Sequence, residues 1–193
     1  MEGSTPEEFI LKSEAFEPDA EIPLRHTMTE FSPESQNISP GFEWKGVPDG
    51  AESLVLLCID PDAVGGDFVH WVVYNMIPAM TMLPSGLPSE ATVTLDDVKL
   101  CEGGPFVPHM LIQSSVGLDD VSVMQGTNDF GFVGYGGPKP PPGTGVHHYT
   151  FTLYALKTIL DCGPGVSHKE VTKLMEDAII AKTSVIGIVN SAE

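Results

Sequence analysis

From Leu54 to Ile59 the chain is almost continuously apolar and β-prone. A strand with water on one face alternates polar and apolar residues, so an unbroken apolar run this short fits a strand covered on both faces. The run stops at Asp60-Pro61-Asp62, where proline removes a ladder donor and aspartate favours a turn. A second run, Phe68 to Ile77, begins after a short stretch containing Gly65 and Gly66, so the two read as antiparallel neighbours. A third, from His147 to about Leu156, is rich in Tyr, Thr, Phe and Val. The glycine- and proline-rich stretch from Gly134 to Gly145 before it must be a loop.

One helix is signalled. Ser167 and Glu170 form a capping box, and Val171, Leu174, Met175, Ala178 and Ile179 recur at helical spacing as a core-facing stripe. The spacing predicts a helix over about 167–182, followed by a closing strand from Ser184 to Asn190. With 20 glycines and 17 prolines the chain is rich in turns, and far more strand than helix is expected.

The 193 residues suit one domain, 1–193, whose first residues, 1–8, form a flexible acidic arm. Residues 1 to 21 hold seven acids against Lys12 alone, and the whole chain has a net charge of −18. Such a chain repels nucleic-acid phosphates and anionic lipid, so neither a nucleic-acid partner nor adsorption to a membrane is expected. No apolar stretch approaches the ~20 residues of a membrane helix, and no N-terminal run reads as a signal peptide. Cys58, Cys101 and Cys162 are odd in number and far apart, which fits a reducing, cytoplasmic setting. Asn37-Ile38-Ser39 matches a glycosylation triplet, meaningful only in a secreted protein.

Strand alternation selects the candidate site. His147 and Tyr149 project to one face and His148 to the other. His70 lies near the start of its strand and Asp60 at the end of the preceding one, so three strands in one sheet would gather Asp60, His70, His147 and Tyr149 at one rim. The Gly143-Thr144-Gly145 turn offers unobstructed backbone N–H groups to a phosphate or carboxylate. Histidine adds a charge near neutral pH and tyrosine a neutral donor. Asp60 would orient a histidine or receive a ligand amine.

Asp60-Pro61-Asp62-Ala63 followed by Phe68-Val69-His70-Trp71-Val72-Val73-Tyr74-Asn75 resembles the first signature of the phosphatidylethanolamine-binding proteins. The stretch from Gly136-Gly137-Pro138 through Gly143-Thr144-Gly145-Val146-His147-His148-Tyr149 resembles the second. Ser39-Pro40, Trp44, Gly46-Val47-Pro48 and the tail from Ser184 are similar too, especially to the bacterial and archaeal Raf kinase inhibitor-like branch. The resemblance runs from about Phe9 onward. It implies a mostly β fold, an antiparallel β-sandwich with a few peripheral helices. It also implies a small cavity for phosphate, a phosphomonoester or a phosphoethanolamine-type headgroup, lined by Asp60, His70, His147 and Tyr149 with Asp62, Gly137 and Gly145 adjoining. Val64 stands where the family usually has proline and His148 where it has arginine, and the short segment to His70 lacks an aromatic wall.

The expected function is therefore binding, with no enzymatic activity and no cofactor, and with a protein kinase or a peptidase as the regulated partner. A homodimer is left open. Three other readings stand beside it. A hydrolase could use the histidines and aspartates, although the motifs contain no serine or cysteine nucleophile and no G-x-S-x-G. A metal site could use Asp60, Asp62, His70 and His147, although H-E-x-x-H is absent and none is expected. A partner-binding inhibitor would need no small ligand at all.

Overall fold

A computed structural model describes residues 8–94 and 122–191 of the chain. Its elements in chain order are β1 (Ile10–Ser13), β2 (Ala20–Glu21), β3 (Phe42–Lys45), β4 (Ser53–Asp60), β5 (Phe68–Met76), β6 (Met82–Leu83), β7 (Thr92–Thr94), β8 (Ser122–Gln125), β9 (Val146–Leu156), α1 (His168–Met175) and β10 (Ile179–Asn190). Short 3-10 turns occupy Leu24–His26 and Glu176–Ala178. Cys101 and nearly all of the expected acidic arm lie outside the described residues.

Seven strands form one sheet in the order β2-β10-β9-β4-β5-β8-β7, and β1-β3-β6 form a second. Their inner faces meet in one core, where Leu11, Phe42 and Trp44 of the small sheet face Leu56, Trp71, Phe151 and Val185 of the large one. Phe42 and Phe151 have ring centroids 4.9 Å apart, close enough for their edges and faces to interact. The other face of the large sheet packs Val55, Leu57, Val72 and Tyr74 beneath Val171 and Met175 of α1. β4 and β5 are thus sandwiched between two layers of cover, which is why they read as continuous apolar runs.

The fold is mostly β, with one α-helix among the described residues, and it departs from the sequence-based expectation at two places. Among the named strands pairing is antiparallel except that β2 joins β10 in parallel, through Gly187 and Ile188. The helix is also shorter than 167–182. Ser167 does cap it, accepting the Glu170 amide at 3.3 Å, but at Ile179 the chain turns into β10. Ile179 pairs with Leu156 of β9, and β-branched residues beside a long ladder partner favour extension over another helical turn. The predicted stripe is correspondingly narrow: Val171, Met175 and Ala178 are buried, while Leu174 and Ile179 are exposed.

Candidate functional site

β9 lies beside β4 and β4 beside β5, so the ends of three adjacent strands meet at one rim of the large sheet. Along β9, His147 and Tyr149 point inward, at 1% and 0% exposure, and His148 points out. Asp60 closes β4 and is itself buried. Its Oδ2 meets His147 Nδ1 at 2.8 Å, and its Oδ1 accepts the Asp62 amide at 2.9 Å. The Asp-Pro-Asp turn thereby both ends the strand and fixes the carboxylate against the imidazole. At its other nitrogen, Nε2, His147 meets the Thr144 hydroxyl at 2.8 Å.

His70 reaches this face through a β-bulge. Cys58 pairs with Trp71 but Ile59 pairs with Val69, so His70 is an extra residue on β5. Simple alternation would put His70 on the face opposite Trp71. The bulge instead turns it towards Tyr149, with ring centroids 5.1 Å apart and edge on. Its Nδ1–H donates to the Gly136 carbonyl at 2.6 Å, which fixes the tautomer and leaves Nε2 as the unprotonated ring nitrogen of the neutral imidazole. Burial holds the His70 pKa below its ordinary value, against the opposing pull of the Gly136 carbonyl and the Asp60 carboxylate.

Tyr149 is the anomaly. Its hydroxyl is buried and has no hydrogen-bond partner among the described residues, a state shared only with the Trp44 indole nitrogen. The Asp60 carboxylate is near enough to push the phenol upward, second to burial itself, yet no hydrogen bond of sound geometry joins them. The buried Cys58 thiol on β4 is raised by the same two causes, burial and the Asp60 carboxylate.

The other candidates are placed differently. Asp62 turns outward, where its Oδ2 binds His148 Nδ1 at 2.7 Å and the His148 amide at 2.8 Å. Both groups are roughly half-exposed, and the histidine holds the Asp62 pKa low. Gly137 gives its amide to Asn37 Oδ1 at 2.7 Å, and it has no room for a side chain: a Cβ there would sit 2.4 Å from the His26 carbonyl oxygen. Gly145 gives its amide to Ser191 Oγ at 2.9 Å, and the Thr144 amide points to the Pro141 carbonyl at 3.3 Å. The expectation that the turn amides stand open for an anion is therefore corrected for these two, because the turn satisfies them internally.

Several participants escaped the sequence reading. Asn37, noted only as a glycosylation triplet, clamps the Gly-Gly loop by also donating to the Tyr135 carbonyl at 3.2 Å. Phe130 packs on His70 at 5.2 Å and on Phe68 at 4.7 Å, and stacks on Phe132. These rings supply an aromatic wall from a distant segment, and Gly136 leaves space for it, since a Cβ there would lie 2.5 Å from the Phe130 ring. The Asn128-Asp129-Phe130-Gly131 turn signal was the available clue. A separate cleft of about 310 Å³ opens between the Val64–Phe68 loop and His168–Lys169 and contains none of the four inward candidates.

Among the described residues no group of three or more His, Cys, Asp and Glu side chains is arranged to hold a metal ion. Asp62, required by the metal reading, is spent on His148.

Comparison with known proteins adds the ancestry. Residues 12–190 match the family model described as phosphatidylethanolamine-binding protein. The chain is 36% identical over 187 residues to the UPF0098 protein PH1269 of Pyrococcus horikoshii, covering 96% of this chain and 79% of that one. It is 38% identical over 178 residues to a UPF0098 protein of Methanothermobacter thermautotrophicus, covering 92% and 96%. Among solved structures it is similar to Escherichia coli YbcL, described as a new member of the mammalian PEBP family, with 30% identity, a TM-score of 0.73 and coverage of 97% and 99%.

Proposed function

The chain belongs to the phosphatidylethanolamine-binding protein family, and from that premise we propose that Asp60, His70, His147 and Tyr149 form a binding pocket for phosphate or a phosphomonoester such as a phosphoethanolamine headgroup. The observation that carries this is the unpaired Tyr149 hydroxyl. A buried hydroxyl without a partner costs about 1–3 kcal/mol. A ligand oxygen accepting its proton would recover that cost. His70, whose ring lies edge on to Tyr149, becomes a second donor through Nε2 once protonated. Asp60 is already committed to His147, so its charge serves to hold the imidazole rather than to repel the ligand.

Binding without turnover is the reading this supports, with Asp62, Gly137 and Gly145 shaping the surroundings rather than touching the ligand. We extend it to a protein partner, a kinase or a peptidase, captured over the same rim, where Phe130 is 37% exposed. The free thiols Cys58 and Cys162 support a cytoplasmic setting. Among the described residues no helix is long and apolar enough to cross a membrane.

The test is Tyr149→Phe. Removing an unsatisfied hydroxyl should leave the melting temperature of the unliganded protein unchanged or higher. The parent at ten times the dissociation constant of phosphoethanolamine should gain about 1.4 kcal/mol, a melting shift of roughly 3–6 °C. In Tyr149→Phe that ligand-dependent shift should shrink. An undiminished shift would place the ligand elsewhere, and no shift in the parent at high ligand would favour the partner-binding reading without a small ligand.

A further inference from the structure

We propose that Thr144 is an acyl acceptor, a hydroxyl nucleophile served by His147 as general base, with Asp60 as the positioning residue behind it. The two sequence motifs contain no serine or cysteine nucleophile, but the fold brings a threonine to the place a nucleophile would occupy. Thr144 Oγ1 lies 2.8 Å from His147 Nε2, and His147 Nδ1 lies 2.8 Å from Asp60 Oδ2. Both distances fall within the reach expected of a nucleophile–base–orienter relay, which is recognised by geometry and role rather than by order in the chain. Exposure is graded in the useful direction. Thr144 is exposed on its turn, whereas His147 and Asp60 are buried.

The Pro141 carbonyl, 2.7 Å from the same hydroxyl, competes for its single proton. Attack therefore begins with that proton turned to His147. Thr144 Oγ1 bonds to the carbonyl carbon of an ester while Nε2 takes the hydroxyl proton. The carbonyl re-forms as the bond to the alcohol oxygen breaks, and the departing oxygen collects the proton from His147. The products are acyl-Thr144 and a free alcohol, and the step needs no other reactant.

The surroundings set the substrate class. The amides of Thr144 and Gly145 are engaged by Pro141 and Ser191, so neither is free beside the hydroxyl to steady a tetrahedral oxyanion. Each such donor is worth about a hundredfold or more in rate. The acceptor should therefore use short acyl esters with good leaving groups, and the acyl-threonine should persist.

The experiment uses the full chain and p-nitrophenyl acetate. The expected result is a burst of one nitrophenol per protein, with an acetyl group on the peptide containing Thr144. Thr144→Ser keeps the burst and Thr144→Val loses it. His147→Gln slows labelling by about a hundredfold or more. Asp60→Asn lowers the rate constant at saturating ester without changing the half-saturating concentration. An equal burst in Thr144→Val, or acetylation of Thr144 at the parent rate in a folded His147→Gln variant, overturns the proposal. This proposal and the ligand pocket fail separately, because the phosphoethanolamine-dependent melting shift is read on Thr144→Val, where no acylation can occur.

Discussion

Two aspartates on one turn allow burial to be isolated as a variable. Asp60 meets His147 at 2.8 Å with both side chains at or below 4% exposure, and Asp62 meets His148 at 2.7 Å with exposures of 41% and 49%. Replacing Asp60 with alanine leaves a buried imidazole and the Asp62 amide without their acceptor. Leaving a buried donor without its acceptor costs about 1–3 kcal/mol, because the stranded N–H cannot return to water. At about 2–4 °C per kcal/mol for a chain of this size, the melting temperature should fall by roughly 2–12 °C. Asp62→Ala removes a contact of nearly the same length, but water takes its place, and about 0–1 kcal/mol is expected. The assay is thermal melting of parent and variants at pH 7, followed by circular dichroism. Equal losses in the two variants would refute the argument that burial, and not distance, sets the energy.

Other outcomes follow from the same coordinates. Gly137→Ala should destabilise by about 1–3 kcal/mol or fail to fold, since its new methyl group meets backbone at 2.4 Å; urea denaturation reads this directly. Met175→Ala, which opens a cavity beneath α1, should cost about 2–5 kcal/mol, while Leu174→Ala on the exposed side should cost little. Phosphoethanolamine affinity should rise as pH falls from about 8 towards 6.5. Burial lowers the His70 pKa in the free protein, a bound dianion raises it, and affinity grows as pH drops through the raised value towards the lowered one. Titration calorimetry across that window should show it, and below about pH 6 the gain should flatten as the phosphate is itself protonated.

Much of the frame was legible because it rests on period and punctuation. β4, β5 and β9 appear within a residue or two of their sequence-based limits, and the opposed directions of His147 and His148 follow from alternation alone. What was illegible depended on pairing between distant segments. The bulge that turns His70 onto the site face exists only in the register between β4 and β5. The early end of α1 is decided by β9, not by the apolar stripe of the helix itself. The Asn37 clamp acts across 100 residues, and the aromatic wall comes from a turn without strand or helix periodicity. In the sequence Thr144 is one residue of a turn with unobstructed amides, and only the folded turn shows its hydroxyl against His147.

The placement of β9 between β4 and β10 also dictates when the site can come into being. His147 and Asp60 are separated by 87 residues, and β4 finds its β9 partner only after the whole intervening chain has been made. Closing so long a loop delays the native pairing, so the middle of the large sheet should be slow to nucleate. Until β9 leaves the ribosome, β4 and β5 can pair with each other while β4 keeps a bare, apolar edge, the kind of surface that captures other unfinished chains. A nascent chain stalled before Val146 should therefore need a chaperone more than one stalled after Leu156, and refolding from denaturant should regain the Asp60–His147 pair in its slowest phase.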